Sequence, residues 1–252
     1  MQEMKIAVIV PLMAPEIAKD WSYVQFCLNR TLASVLASSG VDFRIYVICQ
    51  SRPEQMVQDA RIEFLQAENP LPNPEDKDEK RNDKGLKIMM GVRKAAEYKP
   101  DYIMRIDADD LLSRHLFEYV AQTPGYDAFF VNRGYEWQEG SSIISTRRHF
   151  HQYCGTCFMS RYGADLYPYW IGYATSGERI CDQSHTAIEQ VLREKKYKLH
   201  YINQPMVVYI TGGNDQLRNR NLSIRRRAIN VVCGLWRKSR ISQKLRDEFS
   251  LT

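Results

Sequence analysis

Three carboxylates fall within four positions at Asp107, Asp109 and Asp110, directly after the apolar run of residues 102–106 (YIMRI). Carboxylates crowded at one point repel one another, and a folded chain tolerates that best when a cation compensates. Ligands made of oxygen alone suit Mg²⁺ or Mn²⁺, ions that keep several waters and commonly bridge to a diphosphate. The plainer reading is that Asp favours turns and helix starts, with Asp110 capping a helix that begins near Leu111. Three acids in so short a stretch favour the cation. Side chains alternate along an extended chain, so Asp107 and Asp109 are expected to leave on one side while Asp110 opens the turn.

The surrounding elements must hold that cluster in place. Residues 5–13 (KIAVIVPLM) form a near-continuous β-branched run stopping at Pro11, as a central parallel strand buried on both faces would. Asp20 can cap a helix whose apolar positions Val24, Leu28, Thr31, Leu32 and Val35 follow helical spacing, with Gly40 closing it. Residues 43–49 read as a second strand and 61–65 as a short third, an alternation that signals a parallel sheet with crossover helices. Residues 68–83, rich in proline and charge, are expected to form a surface loop. A helix over 85–98 carries Ile88, Met89, Val92, Ala95 and Ala96 on one face and ends before Pro100. The next strand runs straight into the acids, and in parallel sheets ligands bind beyond the carboxyl ends of the strands. Further on, 126–133 and 142–150 read as antiparallel strands around Glu139-Gly140. A helix over 184–195 has Thr186 and Glu189 spaced as a capping box, and 197–210 supplies one or two strands.

A chain of 252 residues can hold one large α/β domain with a full core, and no linker separates its halves. No apolar run reaches the ~20 residues that a membrane span needs. The N-terminal apolar stretch lacks a basic start and a small-residue cleavage site, so the expected compartment is the cytoplasm. The net charge of +5 is uneven: residues 218–246 hold 10 Lys/Arg and no acid, leaving 25 basic against 30 acidic residues elsewhere. That basic stretch interleaves Leu222, Ile224, Ile229, Val232, Leu235, Trp236 and Ile241. It suits an amphipathic helix on an anionic membrane surface, or equally one packed on the domain. No nucleic-acid recognition module is visible, and nucleic acid is not an expected partner.

Cys154 and Cys157 have the spacing of a redox motif and, with Cys181 and His185, could make a zinc set. The second half of that set lacks a matching repeat, so packed thiols are expected instead. His149 and His151 alternate on an expected strand, with one side chain directed into the cleft or both outward.

Residues 80–113 (KRNDKGLKIMMGVRKAAEYKPDYIMRIDADDLLS) resemble the nucleotide-sugar segment of family 2 glycosyltransferases. The opening strand ending at Pro11 and the stretch 177–209 are similar to that family's first strand and acceptor-side helix and strand. A weaker similarity, in 105–110 and 212–214, is to rhamnosyltransferases. The resemblance implies the glycosyltransferase A fold, an α/β domain with a mostly parallel central sheet flanked by helices over 1–215, followed by a basic amphipathic helical extension over 216–252. It implies Asp109 as the main ligand of Mn²⁺ or Mg²⁺, with Asp107 on the ribose or sharing the metal beside Ala108. Arg81 and Lys84 would lie near the nucleotide, and Pro11, Met13 and Gln50 would line the base pocket. The family often carries Asp-Asp-Gly-Ser after its second strand, where this chain has Cys49-Gln50-Ser51-Arg52. That leaves the base unnamed. It often places a late His near the metal as well; here Asn214 or Asp215 substitutes, or the metal has fewer protein ligands.

Inverting transfer is a single in-line displacement and needs a general base for the acceptor hydroxyl. The family's base is a carboxylate just before the acceptor-side helix, which points to Asp182 with Glu178 four residues earlier. Asp182 could instead only cap that helix. His185 is a rival base or third metal ligand. The expectation is a metal-dependent, inverting hexosyl- or deoxyhexosyltransferase for surface polysaccharide or glycan synthesis. It would move a sugar from a nucleoside-diphosphate sugar to a saccharide or lipid-linked acceptor, in the cytoplasm or peripherally on the cytoplasmic membrane face through residues 218–246. The rivals are a nucleotidyltransferase acting on sugar phosphates, which usually has a Gly-rich loop that residues 11–20 lack, and a non-catalytic scaffold or membrane-binding protein.

Overall fold

The structure, a computed structural model, describes residues 3–54, 56–163, 185–212 and 238–251. The first half alternates strand and helix: β1 (Lys5–Pro11), α1 (Trp21–Leu36), β2 (Asp42–Cys49), β3 (Ile62–Gln66), α2 (Lys77–Tyr98) and β4 (Tyr102–Arg105). The second half supplies β5 (Leu111–Leu112), α3 (Leu116–Ala121), β6 (Ala128–Gln138), β7 (Ile143–Arg148), β8 (Phe158–Arg161), α4 (His185–Glu194), β9 (Leu199–Thr211), β10 (Lys238–Arg240) and α5 (Gln243–Phe249).

These strands form one sheet in the order β10-β7-β6-β8-β4-β1-β2-β3, with β9 joined to β6 and β5 to β9. β3, β2, β1 and β4 are parallel, as the strand–helix alternation requires, and β9 runs parallel to β6. The pairs β4–β8, β6–β8, β6–β7, β7–β10 and β5–β9 are antiparallel. The sheet is therefore mixed where a mostly parallel one was expected. Its second half is mainly antiparallel and includes the β6–β7 hairpin at the Glu139-Gly140 turn, where Gly140 adopts φ +79°.

Alternation along β1 sets the two cores. Ile6, Val8 and Val10 pack with Leu28, Leu32 and Val35 of α1 and with Phe117 and Val120 of α3. Ala7 and Ile9 face the other way, toward Ile88, Val92 and Ala95 of α2 and Ile188 and Leu192 of α4. α2 lies close on the sheet because Gly91 has no side chain: a Cβ there would stand 2.7 Å from both Ile9 and Ile48. A third cluster joins Leu111, Trp137, Ile144, Val208 and Ile210 to Phe249 and Leu251.

Several sequence expectations shift. Asp20 caps α1 by accepting from the Tyr23 N–H at 3.0 Å, but the helix closes at Ala37, three residues before Gly40. α2 starts eight residues earlier than periodicity suggested, because Asp76 accepts from the N–H groups of Asp78 and Glu79 and those acids complement the helix dipole. The charged run 77–83, read as part of a loop over 68–83, is about two turns of helix. The side chain of Thr186, half of the expected capping box, lies outside the described residues. The Glu189 carboxylate accepts from Tyr201 Oη at 2.6 Å and Arg193 Nε at 3.0 Å, and it meets His151 Nε2 at 3.1 Å. His149 and His151 do not lie on a strand, for β7 ends at Arg148 and a 3-10 turn follows.

In the helical extension expected over 216–252, residues 238–251 are a strand on the edge of the sheet and a short helix whose Phe249 is fully buried. Residues 213–237, with Asn214, Asp215 and most of the basic stretch, lie outside the described residues. Among the described residues no helix is long and apolar enough to cross a membrane.

His151 ties α4 to the turn after β7. Burial holds its pKa below the usual imidazole value, with His149 and Arg193 adding to that and Glu189 opposing it. The folded chain thus binds a proton less readily there than the unfolded chain, so stability falls as pH drops through about 6.5. Burial gives His200 the same sign. Thermal melts between about pH 7.5 and 5.5 should show a smaller loss of Tm for His151→Phe than for the wild type. Equal slopes would remove His151 from this account.

Candidate active site

The carboxyl ends of β1 and β4 open into a cavity of about 240 Å³. β4 stops at Arg105, so the acids sit in a turn closed by the Asp110 N–H on the Asp107 carbonyl at 3.1 Å. Asp107, Ala108 and Asp109 all line the cavity. The two carboxylates thus share one space through a turn and not through strand alternation.

Asp110 faces the protein interior and is fully buried. It caps no helix, since Leu111 begins β5. Its Oδ2 accepts from Cys154 Sγ at 3.2 Å and from the Thr156 hydroxyl, while Oδ1 has no partner. Thr156 Oγ1 also accepts from the Asp107 N–H at 2.9 Å, so one hydroxyl fixes both ends of the acidic turn. The thiols serve this support: Cys157 Sγ donates to the Cys154 carbonyl at 2.7 Å, and burial pushes both thiols up and keeps them protonated. No group of three or more metal-binding side chains appears among the described residues. Cys181, and the side chain of His185, lie outside that description.

The electrostatics of the turn are strained. Burial and the charge of Asp107 lift the Asp109 carboxyl to about 6, with Lys84 and Arg30 pulling it back only in part. Asp109 is packed by protein on most sides yet still reaches solvent through the cavity. Asp110 is pushed well above the carboxylate range, by burial first and then by Asp109 and Asp107.

α2 presents a row of polar side chains to the same cavity. Lys80, Asp83, Lys84 and Lys87 are spaced three and four apart, hence on one helix face, and all four line it. Lys84 Nζ reaches Asp107 at 2.6 Å. Lys87, 1% exposed, donates to Asp83 and to the Leu12 carbonyl, each at 2.7 Å. Asp83 in turn accepts from Gln50 Nε2 at 2.8 Å and Asn69 Nδ2 at 2.7 Å. The opposite wall is Tyr23 and Cys27 of α1 with Tyr209 and Ile210 of β9. Glu139, at the β6–β7 turn, holds that wall by accepting from the Tyr23 hydroxyl and from the buried Arg30 at 2.6 Å.

Of the residues singled out in the sequence, Pro11, Met13, Lys84, Asp107, Ala108 and Asp109 line the cavity. Gln50 stands behind the wall, on Asp83. Arg81 is turned away, 59% exposed and paired with Asp78. Asp182 and Glu178 lie outside the described residues, as does the side chain of His185, whose backbone starts α4. Lys80 and Asp83 were missed because the helix was begun too late, and Asp76 followed by an acidic turn was the signal for them; Lys87 fell inside the expected helix 85–98 but off the apolar face that was followed. Tyr23, Cys27, Thr156 and Tyr209 carry no local signal.

Thr156→Val should cost about 1–3 kcal/mol in urea unfolding, because it strips a donor from a buried carboxyl and an acceptor from the Asp107 N–H. Thr156→Ser, which keeps the hydroxyl, should lie near the wild type. Equal losses in both variants would mean that packing by the methyl group matters and the hydroxyl does not.

No family model matches the sequence, and no curated protein matches it. Among solved structures the chain is similar to residues 1–349 of S. aureus TarS, with 11% sequence identity and a TM-score of 0.51 over 82% of this chain. The match takes in 60% of the TarS chain, so this protein spans about three fifths of it. At that identity the likeness speaks for architecture alone: the two chains share a mixed α/β sheet with flanking helices.

Proposed function

We propose that the protein is a metal-dependent glycosyltransferase that uses a nucleoside-diphosphate sugar. The observation that carries this reading is the pair Asp107 and Asp109 in one cavity with Lys80 and Lys84, at the carboxyl ends of β1 and β4. The fold of TarS, a wall teichoic acid glycosyltransferase, supports it and suggests an acceptor of the cell-surface polysaccharide class.

The residues fit a Mg²⁺ or Mn²⁺ ion in their chemistry. Asp107 and Asp109 offer oxygen ligands only, and burial together with the charge of Asp107 raises the Asp109 pKa, a cost that a cation between the two carboxylates would offset. Two protein carboxylates suit an ion that completes its shell with waters and diphosphate oxygens. When bound, the ion would neutralise charge on the departing diphosphate. Lys80 and Lys84 add positive charge from α2. Pro11, Leu12, Met13 and Pro72 offer an apolar slot for a base beside the polar group centred on Asp83. Asp182 is the proposed general base, taking the acceptor hydroxyl's proton as the new glycosidic bond forms with inversion, and Glu178 is its neighbour in that role. His185 is the proposed third metal ligand.

Calorimetry with a panel of nucleoside diphosphates, with and without Mn²⁺, tests the reading. At least one should bind more tightly with Mn²⁺, and Asp109→Asn should lower that affinity by at least about tenfold, or 1.4 kcal/mol. The same variant should melt higher than the wild type in metal-free buffer at about pH 8, because it removes a repelled charge. If no nucleoside diphosphate bound with either metal, the enzyme reading would give way to a scaffold that keeps the fold. Binding of nucleoside triphosphates in preference to diphosphates would favour nucleotidyl transfer.

A further inference from the structure

The wall opposite the lysines continues beyond the cavity as a strip of aromatic and charged side chains. Tyr209 lines the cavity on β9. The Tyr153 ring stands edge-on to it, with centroids 5.4 Å apart at 81°. The Arg147 guanidinium lies 3.7 Å over the Tyr153 ring and donates through Nε to Glu136 at 3.0 Å. The Tyr153 hydroxyl points at the same carboxylate, at 3.4 Å. Glu136 is the register partner of Tyr209 across the parallel β6–β9 pair, so the strip returns to the strand that carries its cavity end.

We propose that this strip is a subsite for a neutral saccharide, held through two neighbouring hydroxyls, and that it receives the acceptor of the transfer; this rests on the glycosyltransferase reading above. Four observations lead there. Arg147 and Glu136 are oppositely charged and bonded to each other, so the strip has no net charge to draw an anion. The pair presents an acceptor and donors side by side, which matches a diol: one hydroxyl donates to the carboxylate and its neighbour accepts from the guanidinium. The pair keeps contact with solvent, at 31% exposure for Arg147 and 18% for Glu136, so both ions are reachable. Two tyrosines adjoin it and offer apolar ring surface for the C–H groups of a sugar.

Placement supports the same assignment. A donor with its diphosphate on Lys80, Lys84 and the acidic turn has its base on the β1 and Asp83 side of the cavity. The remaining wall, Tyr209 and Tyr23, is then left for the sugar. In an in-line displacement the acceptor approaches from the side away from the leaving diphosphate, and the strip enters the cavity at Tyr209. A uronic acid or phosphorylated sugar would gain little here, since Glu136 offsets the attraction of Arg147 for its charge.

Saturation-transfer NMR on the full chain tests this with a panel of neutral methyl hexosides and methyl deoxyhexosides, each hexoside paired with its uronic acid. Saturation from tyrosine ring protons should reach at least one neutral glycoside, with the uronic acids binding no more tightly. Glu136→Gln and Arg147→Met should each weaken that glycoside at least tenfold, while nucleoside diphosphate affinity, measured on the same samples, stays within twofold. Tyr153→Leu, which keeps an apolar side chain, should abolish the transfer of saturation from its ring. The subsite is overturned if no neutral glycoside binds, if uronic acids bind better, or if the charge variants leave sugar binding unchanged. Should nucleoside diphosphates fail to bind at all, the functional reading falls first. If they bind and sugars ignore the strip, only the strip proposal falls.

Discussion

A lysine ammonium and a carboxylate withdrawn from water hold the α2 side of the cavity together. Lys87 and Asp83 lie one helical turn apart on α2, and each reaches away from its helix: Lys87 to the carbonyl just past β1, Asp83 to side chains after β2 and β3. Burial pulls the Lys87 pKa down while Asp83 restores it in part. Such a pair adds little net stability over an apolar replacement, yet losing one partner is costly because the other charge is left stranded. Its contribution is therefore geometric. The ends of three parallel strands and the first turns of α2 are locked to one another where the cavity opens, and Gly91 lets α2 come close enough to do so.

The acidic turn gathers its charge at close quarters. Its contacts include a hydroxyl, a thiol and the Lys84 ammonium, and two of its three carboxyl groups are still driven above the ordinary carboxylate range. A fold selected for stability alone would place amides there. Retaining the acids makes sense if a cation or a cationic complex enters the cavity, and that ties local strain to the proposed chemistry. The two walls divide the work. The α2 wall is cationic and suited to phosphates, whereas the α1 and β9 wall is aromatic and held by Glu139, a residue far away in sequence.

Much of this was legible in the chain. The β-branched runs of β1 and β2, the Asp20 cap and the apolar face of α2 gave the parallel half of the sheet, because strand and helix periodicities are local properties. The acids after β4 were equally plain. Less legible were elements whose local signal points elsewhere. The stretch 77–83 looks like loop by charge and by its prolines upstream, and only the Asp76 cap and the burial of Asp83 and Lys87 make it helix. Arg81 and Lys80 differ by about 100° around that helix, so Lys80 lines the cavity while Arg81, named from the family resemblance, pairs with Asp78 at the surface.

The sequence by itself determined the class of fold, the position of the acidic cluster and the alternation that sends β1 side chains into two cores. It did so because each depends on neighbours within a few residues. Tertiary structure decided which groups meet: Thr156 under Asp107 and Asp110, Glu139 against Arg30 and Tyr23, and Tyr209 beside Tyr153. These contacts join residues that stand 46 to 116 positions apart. No periodicity encodes such meetings, for they follow from sheet order and from where each strand ends.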